Sequence, residues 1–195
     1  MEKNRLEAFS DGVFAIIITI MVLEMKVPHA ADLKALEPIL PVFLTYALSF
    51  IYVGIYWNNH HHLIKAAGPI SGGILWANLH LLFWLSLFPF VTGWMGENHF
   101  TAIPTALYGL VLLLAAIAYY VLQLLILRKL GPNSKLARSL GADLKGKFSP
   151  LLYALGIALS FYRPWLGGSV YVAVALMWLY PDSRIERILD ESRED

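Results

Sequence analysis

The sequence predicts an all-α membrane protein with six transmembrane helices in each subunit. Hydrophobic residues make up 58% of its 195 residues and charged residues only 15%, below the share of about 25% that is typical of soluble domains. Uncharged stretches of about 20 residues, the length that crosses a bilayer, recur along the chain. Lys and Arg cluster in alternate loops without interleaved aromatic residues, which indicates membrane topology and excludes a nucleic-acid partner.

Six transmembrane helices are predicted along the sequence. In order, they cover residues 9–25, 36–59, 69–94, 102–127, 148–161 and 166–180. The second helix opens on Pro38 and Pro41, which a helix tolerates in its first turn. The segment FYRPWLGG at residues 161–168 interrupts the last apolar block, and we therefore divide that block into two shorter helices joined by a tight turn.

The polar segments do not indicate further domains. Residues 128–147 connect the fourth and fifth helices, and residues 182–195 are expected to form a cytoplasmic tail with a capped, solvated helix. We therefore expect a single transmembrane domain over residues 1–195, without internal repeats. No small-residue cleavage site follows the first helix, so we expect that helix to remain in the mature protein. The absence of cysteine excludes disulfides, iron–sulfur clusters and cysteine nucleophiles, and we expect no cofactor.

The distribution of basic residues predicts the topology of these spans. With six helices, one side of the membrane receives most of the Lys and Arg residues, and the other receives only Lys26, Lys34 and Arg163. An odd number of spans would spoil this separation. We therefore expect a multi-pass protein of the cell membrane with both termini in the cytoplasm.

The first helix has two different faces. At about 100° per residue, Ser10 and Asp11 are expected to project roughly opposite a narrow apolar band. That band consists of Gly12, Ile16, Thr19 and Leu23. A carboxylate such as Asp11 costs about 2.5–3.5 kcal/mol at bilayer depth, so it needs a partner or a place on a pathway.

Candidate partners for Ser10 and Asp11 lie at comparable depth on the next two helices. The second helix ends with Trp57, His60 and His61, and the third, which enters the membrane from the same side, carries Asn78 and His80 one to two turns deep. Their indole, amide and imidazole groups can hydrogen-bond the polar side of the first helix, where lipid offers no partner. We predict a polar cluster that braces the first helix, with local packing as the alternative for each neutral residue.

Two other functions were weighed on the same residues. A metal enzyme is disfavoured because adjacent residues in the run His60–His61–His62 diverge by about 100° on a helix and cannot share one ion. A proton-coupled secondary transporter would use Asp11 and His80 as a relay. It is also disfavoured, because Gly and Pro do not interrupt matched halves of the chain, as inverted repeats would require.

The string Arg5-x-x-x-Phe9-Ser10-Asp11 at the start of the first helix resembles the signature of the transmembrane protein 175 potassium channels of bacteria and lysosomes. The resemblance extends over the whole chain, because bacterial members share this length, six helices and cytosolic ends. It implies a homotetramer in a lipid bilayer, with four first helices around a central pore. The expected function is therefore a potassium-preferring cation channel and not an enzyme.

The resemblance also implies roles for single residues. Ile16 would form the narrow point of the pore, followed by Thr19 and Leu23, and the partners of the signature would lie at residues 57–61 and at Asn78. Because the chain lacks a TVGYG-like filter, we expect only moderate selectivity, with potassium as a permeant ion and no structural metal. A ring of Glu24 would concentrate cations at the outer mouth, and a merely solvated helix-end carboxylate is the alternative.

Overall fold

The computed structural model describes residues 2–140 and 144–179, and the regular structure there is entirely helical. The predicted tail at residues 182–195 lies outside the described residues. The helices are α1 Lys3–Leu23, α2 Leu40–Ala66, α3 Gly72–Ser86, α4 Phe88–Glu97, α5 Ala102–Leu130, α6 Lys135–Leu140, α7 Leu144–Tyr162 and α8 Pro164–Leu179. A 3-10 helix, Leu33–Ile39, leads into α2.

Four described segments are long and apolar enough to cross a membrane. They are Lys3–Leu23, Leu33–Ala66, Gly72–Glu97 and Ala102–Leu130, and α8 is a shorter apolar helix. The predicted all-helical membrane class is therefore confirmed. The total of six spans stays a prediction, because α7 and α8 have 19 and 16 residues and are the shortest of the predicted crossings.

The second span begins earlier and ends later than its prediction at residues 36–59. Its first residues form the 3-10 helix, which contains Pro38 and is capped by Asp32 through a 3.0 Å bond from the Ala35 backbone N–H. At the other end α2 continues to Ala66, because His60 and Leu63 are buried in the core and hold that turn in the helix.

The third span is broken into α3 and α4, which the prediction of one helix at 69–94 did not foresee. Pro89 stands in the first turn of α4 and has no backbone N–H to donate to the preceding turn. The chain bridges the break with a bond of 3.3 Å from the Leu87 N–H to the Trp84 carbonyl. A proline in the interior of an apolar run thus bends the span and does not end it.

The last apolar block is divided as predicted. Arg163 separates α7 from α8, its N–H closes α7 on the Leu159 carbonyl at 2.8 Å, and Pro164 begins α8. α7 begins at Leu144, four residues before its predicted start at 148. The connection at residues 128–147 contains the short helix α6, which the polarity of that stretch did not indicate.

The two ends of the helix bundle differ in charge. Lys3 of α1 donates to the carbonyl of Lys65 at the end of α2, at 2.6 Å, and Lys129 at the end of α5 donates to the carbonyl of Pro69. We call this the basic end of the bundle; α1 and α7 begin there and α2 and α5 end there. At the opposite end, Lys26 forms an ion pair with Glu97 at 3.1 Å.

Glycines allow α5, α7 and α8 to pack closely around the buried ring of Tyr171. A Cβ added to Gly156 would lie 2.4 Å from Tyr171 Cε1, and one added to Gly109 would lie 2.0 Å from Tyr171 Oη. The buried hydroxyls of this region bind protein groups: Tyr52, for example, donates to the Tyr171 carbonyl at 2.6 Å. Small residues and internal hydrogen bonds are what helix packing in a lipid environment requires.

We expect Gly167→Ala to destabilise the bundle and Gly168→Ala to leave it unchanged. A Cβ on Gly167 would meet Ser160 Oγ at 2.0 Å and the backbone oxygen of Gly156 at 2.7 Å, whereas a Cβ on Gly168 would meet nothing within 4 Å. Overpacking of this kind costs about 1–3 kcal/mol. Thermal denaturation of the two detergent-purified variants measures the difference, and equal midpoints would contradict the close packing of α7 on α8.

Candidate functional site

One face of α1 packs into the core of its own subunit, against α2, α3 and α4. Its buried residues recur every three or four positions and are Leu6, Ser10, Phe14, Ile17 and Met21. This spacing is that of a single face of an α-helix. The apolar members pack by contact alone, and Ser10 adds the hydrogen-bonding group that gives this face a fixed partner.

The opposite face of α1 is uncovered within the described part of the subunit. Ile16 is 57% exposed and Leu23 is 79% exposed, and a Cβ added to Gly12 would meet nothing within 4 Å. Thr19 is exposed between them. We call Gly12, Ile16, Thr19 and Leu23 the outward band. It is the same set of residues that the helical period places on one face.

A chain of hydrogen bonds fixes the buried face of α1. His60 Nε2 lies 2.6 Å from Asn78 Oδ1, Asn78 Nδ2 donates to Ser10 Oγ at 3.0 Å, and Ser10 donates to the Leu6 carbonyl at 2.8 Å. Because an amide oxygen only accepts, the Nε2 of His60 carries the hydrogen of the first bond. Ser10, His60 and Asn78 are all buried, and each has a partner.

Asp11 lies beside this chain and binds a different residue. Trp57 Nε1 donates to Asp11 Oδ1 at 3.0 Å, and the indole of Trp57 stacks on His61 with ring centroids 6.2 Å apart. The sequence predicts an indole donor for the polar side of α1, and this bond supplies one to Asp11, which is exposed on the subunit surface whereas Ser10 is buried. Consecutive residues diverge by about 100°, so only one of the two can face the core.

His80 does not join the cluster, contrary to the prediction. It is exposed and accepts a 2.9 Å hydrogen bond from Trp84 Nε1, one turn along the same helix. Two residues after Asn78 on a helix, His80 points about 200° away from it. A relay from Asp11 to His80 therefore lacks a direct contact among the described residues.

The remaining signature residues lie on the surface of α1. Arg5 is exposed, and Phe9 is among the exposed large hydrophobic residues. The sequence reasoning missed two groups that contact Ser10 or His60: the Leu6 carbonyl, which accepts from Ser10, and the Phe14 ring, whose centroid lies 5.6 Å from that of His60. The four-residue spacing of Leu6, Ser10 and Phe14 is the signal that could have revealed them.

Thr19 keeps its hydroxyl oxygen available on the outward band. The hydroxyl lies 3.1 Å from the Ala15 carbonyl and 2.9 Å from the Ile16 carbonyl, so its single hydrogen is used within α1. A hydroxyl oxygen has two lone pairs in addition to that hydrogen. The oxygen can therefore accept from water or coordinate a cation that passes along the band.

Glu24 caps the far end of α1 and turns toward α4. It is exposed, and its Oε2 lies 4.0 Å from the position of a Cβ on Gly93. The neighbouring pair of Lys26 and Glu97 links the segment after α1 to the end of α4. Glu24 thus stands beside the outward band and does not continue it.

Comparison with known proteins identifies the family. A family model described as the endosomal/lysosomal potassium channel TMEM175 matches residues 5–89. A potassium channel from Chryseobacterium sp. strain P1-3 is 56% identical over 192 residues, which cover 98% of this chain and 100% of that relative. The chain belongs to the TMEM175 family. A potassium channel from Streptomyces collinus is 34% identical over 129 residues, which cover 62% of this TMEM175-family chain and 63% of that relative.

A solved structure supports the same assignment. The crystal structure of a lysosomal potassium-selective channel TMEM175 homolog from Chamaesiphon minutus matches with a TM-score of 0.78 and 28% identity, over 93% of this chain and 98% of that chain. These relatives are ion channels and not enzymes, which confirms the predicted class of protein. The match over nearly the whole chain also confirms the predicted family.

We expect Ser10→Ala and Asn78→Ala to lower stability non-additively. Each variant leaves a buried polar group without its partner, and hydrogen bonds between membrane helices average about 0.6 kcal/mol, with a maximum of about 1.7 kcal/mol. A double-mutant cycle on unfolding free energies in detergent measures the coupling. Ser86→Ala is the control, because the exposed Ser86 hydroxyl donates to Phe83 of its own helix. Strict additivity of the two substitutions would contradict the bond.

Proposed function

We propose that this chain is the subunit of a homotetrameric, potassium-preferring cation channel. Each subunit would cross the cell membrane six times with both termini in the cytoplasm. The observation that carries the proposal is the outward band of α1, which the subunit leaves uncovered while it buries the opposite face. Relatives named potassium channels, one of them covering nearly the whole chain, support the ion and the activity.

The exposure of Asp11 argues that α1 faces other subunits or water in the assembly. Asp11 lies eight residues after Lys3, about 12 Å along a helix at 1.5 Å per residue. Only its bond to Trp57 is made within the described subunit. A carboxylate held at membrane depth is too costly to leave against lipid. Its surroundings in the channel would be a neighbouring subunit or the wet inner mouth of a pore.

The outward band would line the conduction pathway at the symmetry axis of the tetramer. Four Ile16 side chains would form the first apolar ring and four Leu23 side chains the second. Apolar rings can close a pore by dewetting, so a small change in radius would switch conduction. Ser10, Asn78 and His60 would act as bracing residues, because they hold the rotation of α1 from behind.

Selectivity would come from the constriction and from Thr19. The chain contains no TVGYG-like filter of backbone carbonyls. The Thr19 oxygens between the two apolar rings would replace part of the hydration shell of an ion, and the weaker hydration of potassium would favour it over sodium. The resulting preference should be moderate. Glu24, which stands aside from the band, would contribute only long-range attraction of cations at the outer mouth.

The reversal potential of the purified protein tests the proposed activity. Planar bilayers containing the protein are bathed in potassium on one side and sodium on the other. They should show unitary currents whose reversal potential is shifted from zero toward the equilibrium potential of potassium. Saturable flux strictly coupled to protons, without unitary currents, would contradict the channel and favour the transporter.

We expect Ile16→Asn to increase conductance and to lower the preference for potassium over sodium. Asparagine carries less hydrocarbon than isoleucine, and its amide hydrogen-bonds water. The first ring would therefore be wider and hydrated. Single-channel recording measures both quantities. Ile18→Asn is the matched control, because Ile18 lies on the same helix about 160° from Ile16 and packs against the core. Unchanged currents in Ile16→Asn would remove Ile16 from the pathway.

A further inference from the structure

A cavity lies between α2, α5, α7 and α8. Its walls are mainly aromatic and include Tyr52, Tyr56, Tyr119, Tyr120, Tyr153 and Trp178. Six aromatic side chains around one space give a lining suited to a flexible apolar occupant. Its lining residues do not include α1, the helix that carries the proposed pore lining.

Several of the polar groups that line the cavity are engaged with the protein. Asn59 donates to the Ile55 carbonyl at 2.8 Å, Trp178 Nε1 donates to Ser149 Oγ at 2.9 Å, and Ser149 donates to the Lys145 carbonyl at 2.7 Å. The space therefore presents mainly ring faces and hydrocarbon to an occupant. Such a surface fits an acyl chain and does not fit an ion or a sugar.

The cavity lies toward the basic end of the bundle. Gly146 of α7 lines it and stands between Lys145 and Lys147, and Gln123 of α5 lines it five residues before Arg128. Lys147 and Arg128 are exposed. An apolar interior thus continues to a rim whose exposed charges are positive.

The connection between α5 and α7 has a sequence with the same sign of charge. Between residues 128 and 147, the acidic residue Asp143 is accompanied by six basic residues, and these are Arg128, Lys129, Lys135, Arg138, Lys145 and Lys147. Clusters of Lys and Arg at the end of membrane helices attract anionic lipid headgroups. The positive charge therefore favours amphiphiles with an anionic headgroup among those whose apolar part would fit the cavity.

We infer that this cavity binds one acyl chain of an anionic phospholipid. The chain lies against the tyrosine rings and Trp178, and the phosphate lies at the rim near Arg128 and Lys147. The hydrocarbon of the cavity holds the chain, and the two cations distinguish an anionic headgroup from a zwitterionic one.

Brominated lipids test this binding through the fluorescence of Trp178, one of six tryptophans. The full-length protein is reconstituted with chain-brominated phosphatidylglycerol or chain-brominated phosphatidylcholine. The part of the quenching that is lost in the variant Trp178→Phe comes from Trp178 and therefore reports lipid bound in the cavity. We expect the phosphatidylglycerol to bind at least about fivefold more tightly, because each basic residue contributes about 1 kcal/mol. Equal quenching by the two lipids, or none at Trp178, would overturn the inference.

Two pairs of variants separate the cavity from the rim. Ala116 lines the cavity, and Ala116→Phe should fill it and abolish the quenching of Trp178. The matched control Ile117→Phe alters the exposed neighbour on the same helix and should leave the quenching unchanged. Arg128→Gln combined with Lys147→Gln keeps the cavity and should reduce binding of phosphatidylglycerol to the level of phosphatidylcholine. An unchanged lipid preference in that double variant would overturn the inference even where Ala116→Phe fails to fold.

Discussion

The rotation of α1 about its own axis depends on the buried hydrogen bonds from His60 through Asn78 to Ser10. Ser10 is the hydrogen-bonding member of a face that is otherwise apolar, and its partner Asn78 is fixed on a second helix by His60 from a third. Because lipid supplies no substitute partner, a rotated α1 would take from the buried Asn78 amide the Ser10 oxygen to which it donates. This constraint determines which residues of α1 the subunit leaves exposed.

The geometry of a helix carries that constraint along the whole of α1. With 3.6 residues per turn, an inward Ser10 places Phe14, Ile17 and Met21 inward as well. The residues at 12, 16, 19 and 23 must then face away from the subunit. The apolar nature of these residues does not distinguish a pore from a lipid surface. Asp11 favours a pore or a subunit contact, because Trp57 binds one of its two carboxylate oxygens and the exposed remainder of the group requires water or another protein partner at that depth.

The sequence predicted the features that follow from local periodicity and from proline. The outward band was found from the helical period, and the division of α7 from α8 was found from Arg163 and Pro164. The break at Pro89 was not predicted, because the apolar run continues through it and either a bend or an end is compatible with the residues. The depth of His80 in the membrane predicts a place in the polar cluster. Its direction on α3, two residues after Asn78, sends it elsewhere.

Properties of the assembly are harder to predict from the sequence. The number of subunits depends on how α1 meets copies of itself, and a weakly amphipathic helix does not encode that number. Ser10 and Asp11 are consecutive and cannot both face the core. The buried hydrogen bond from Asn78 turns Ser10 inward, and Asp11 is therefore exposed. The cavity beside α2 is lined by residues between 52 and 178 in the sequence, so no local pattern marks it. Membership of the family relates the chain to proteins named potassium channels. The contacts of α1 within the subunit explain physically why one face of that helix is left exposed.

Cysteine accessibility along α1 tests most directly whether the outward band is the conduction pathway. The natural chain contains no cysteine, so each introduced thiol is the single one in a subunit. Silver ions applied to active channels should block the outward substitutions Ile16→Cys, Thr19→Cys and Leu23→Cys. They should not block the inward substitutions Phe14→Cys, Ile17→Cys and Met21→Cys. Block at the inward positions, or at none of the outward ones, would contradict the placement of α1 around the pore.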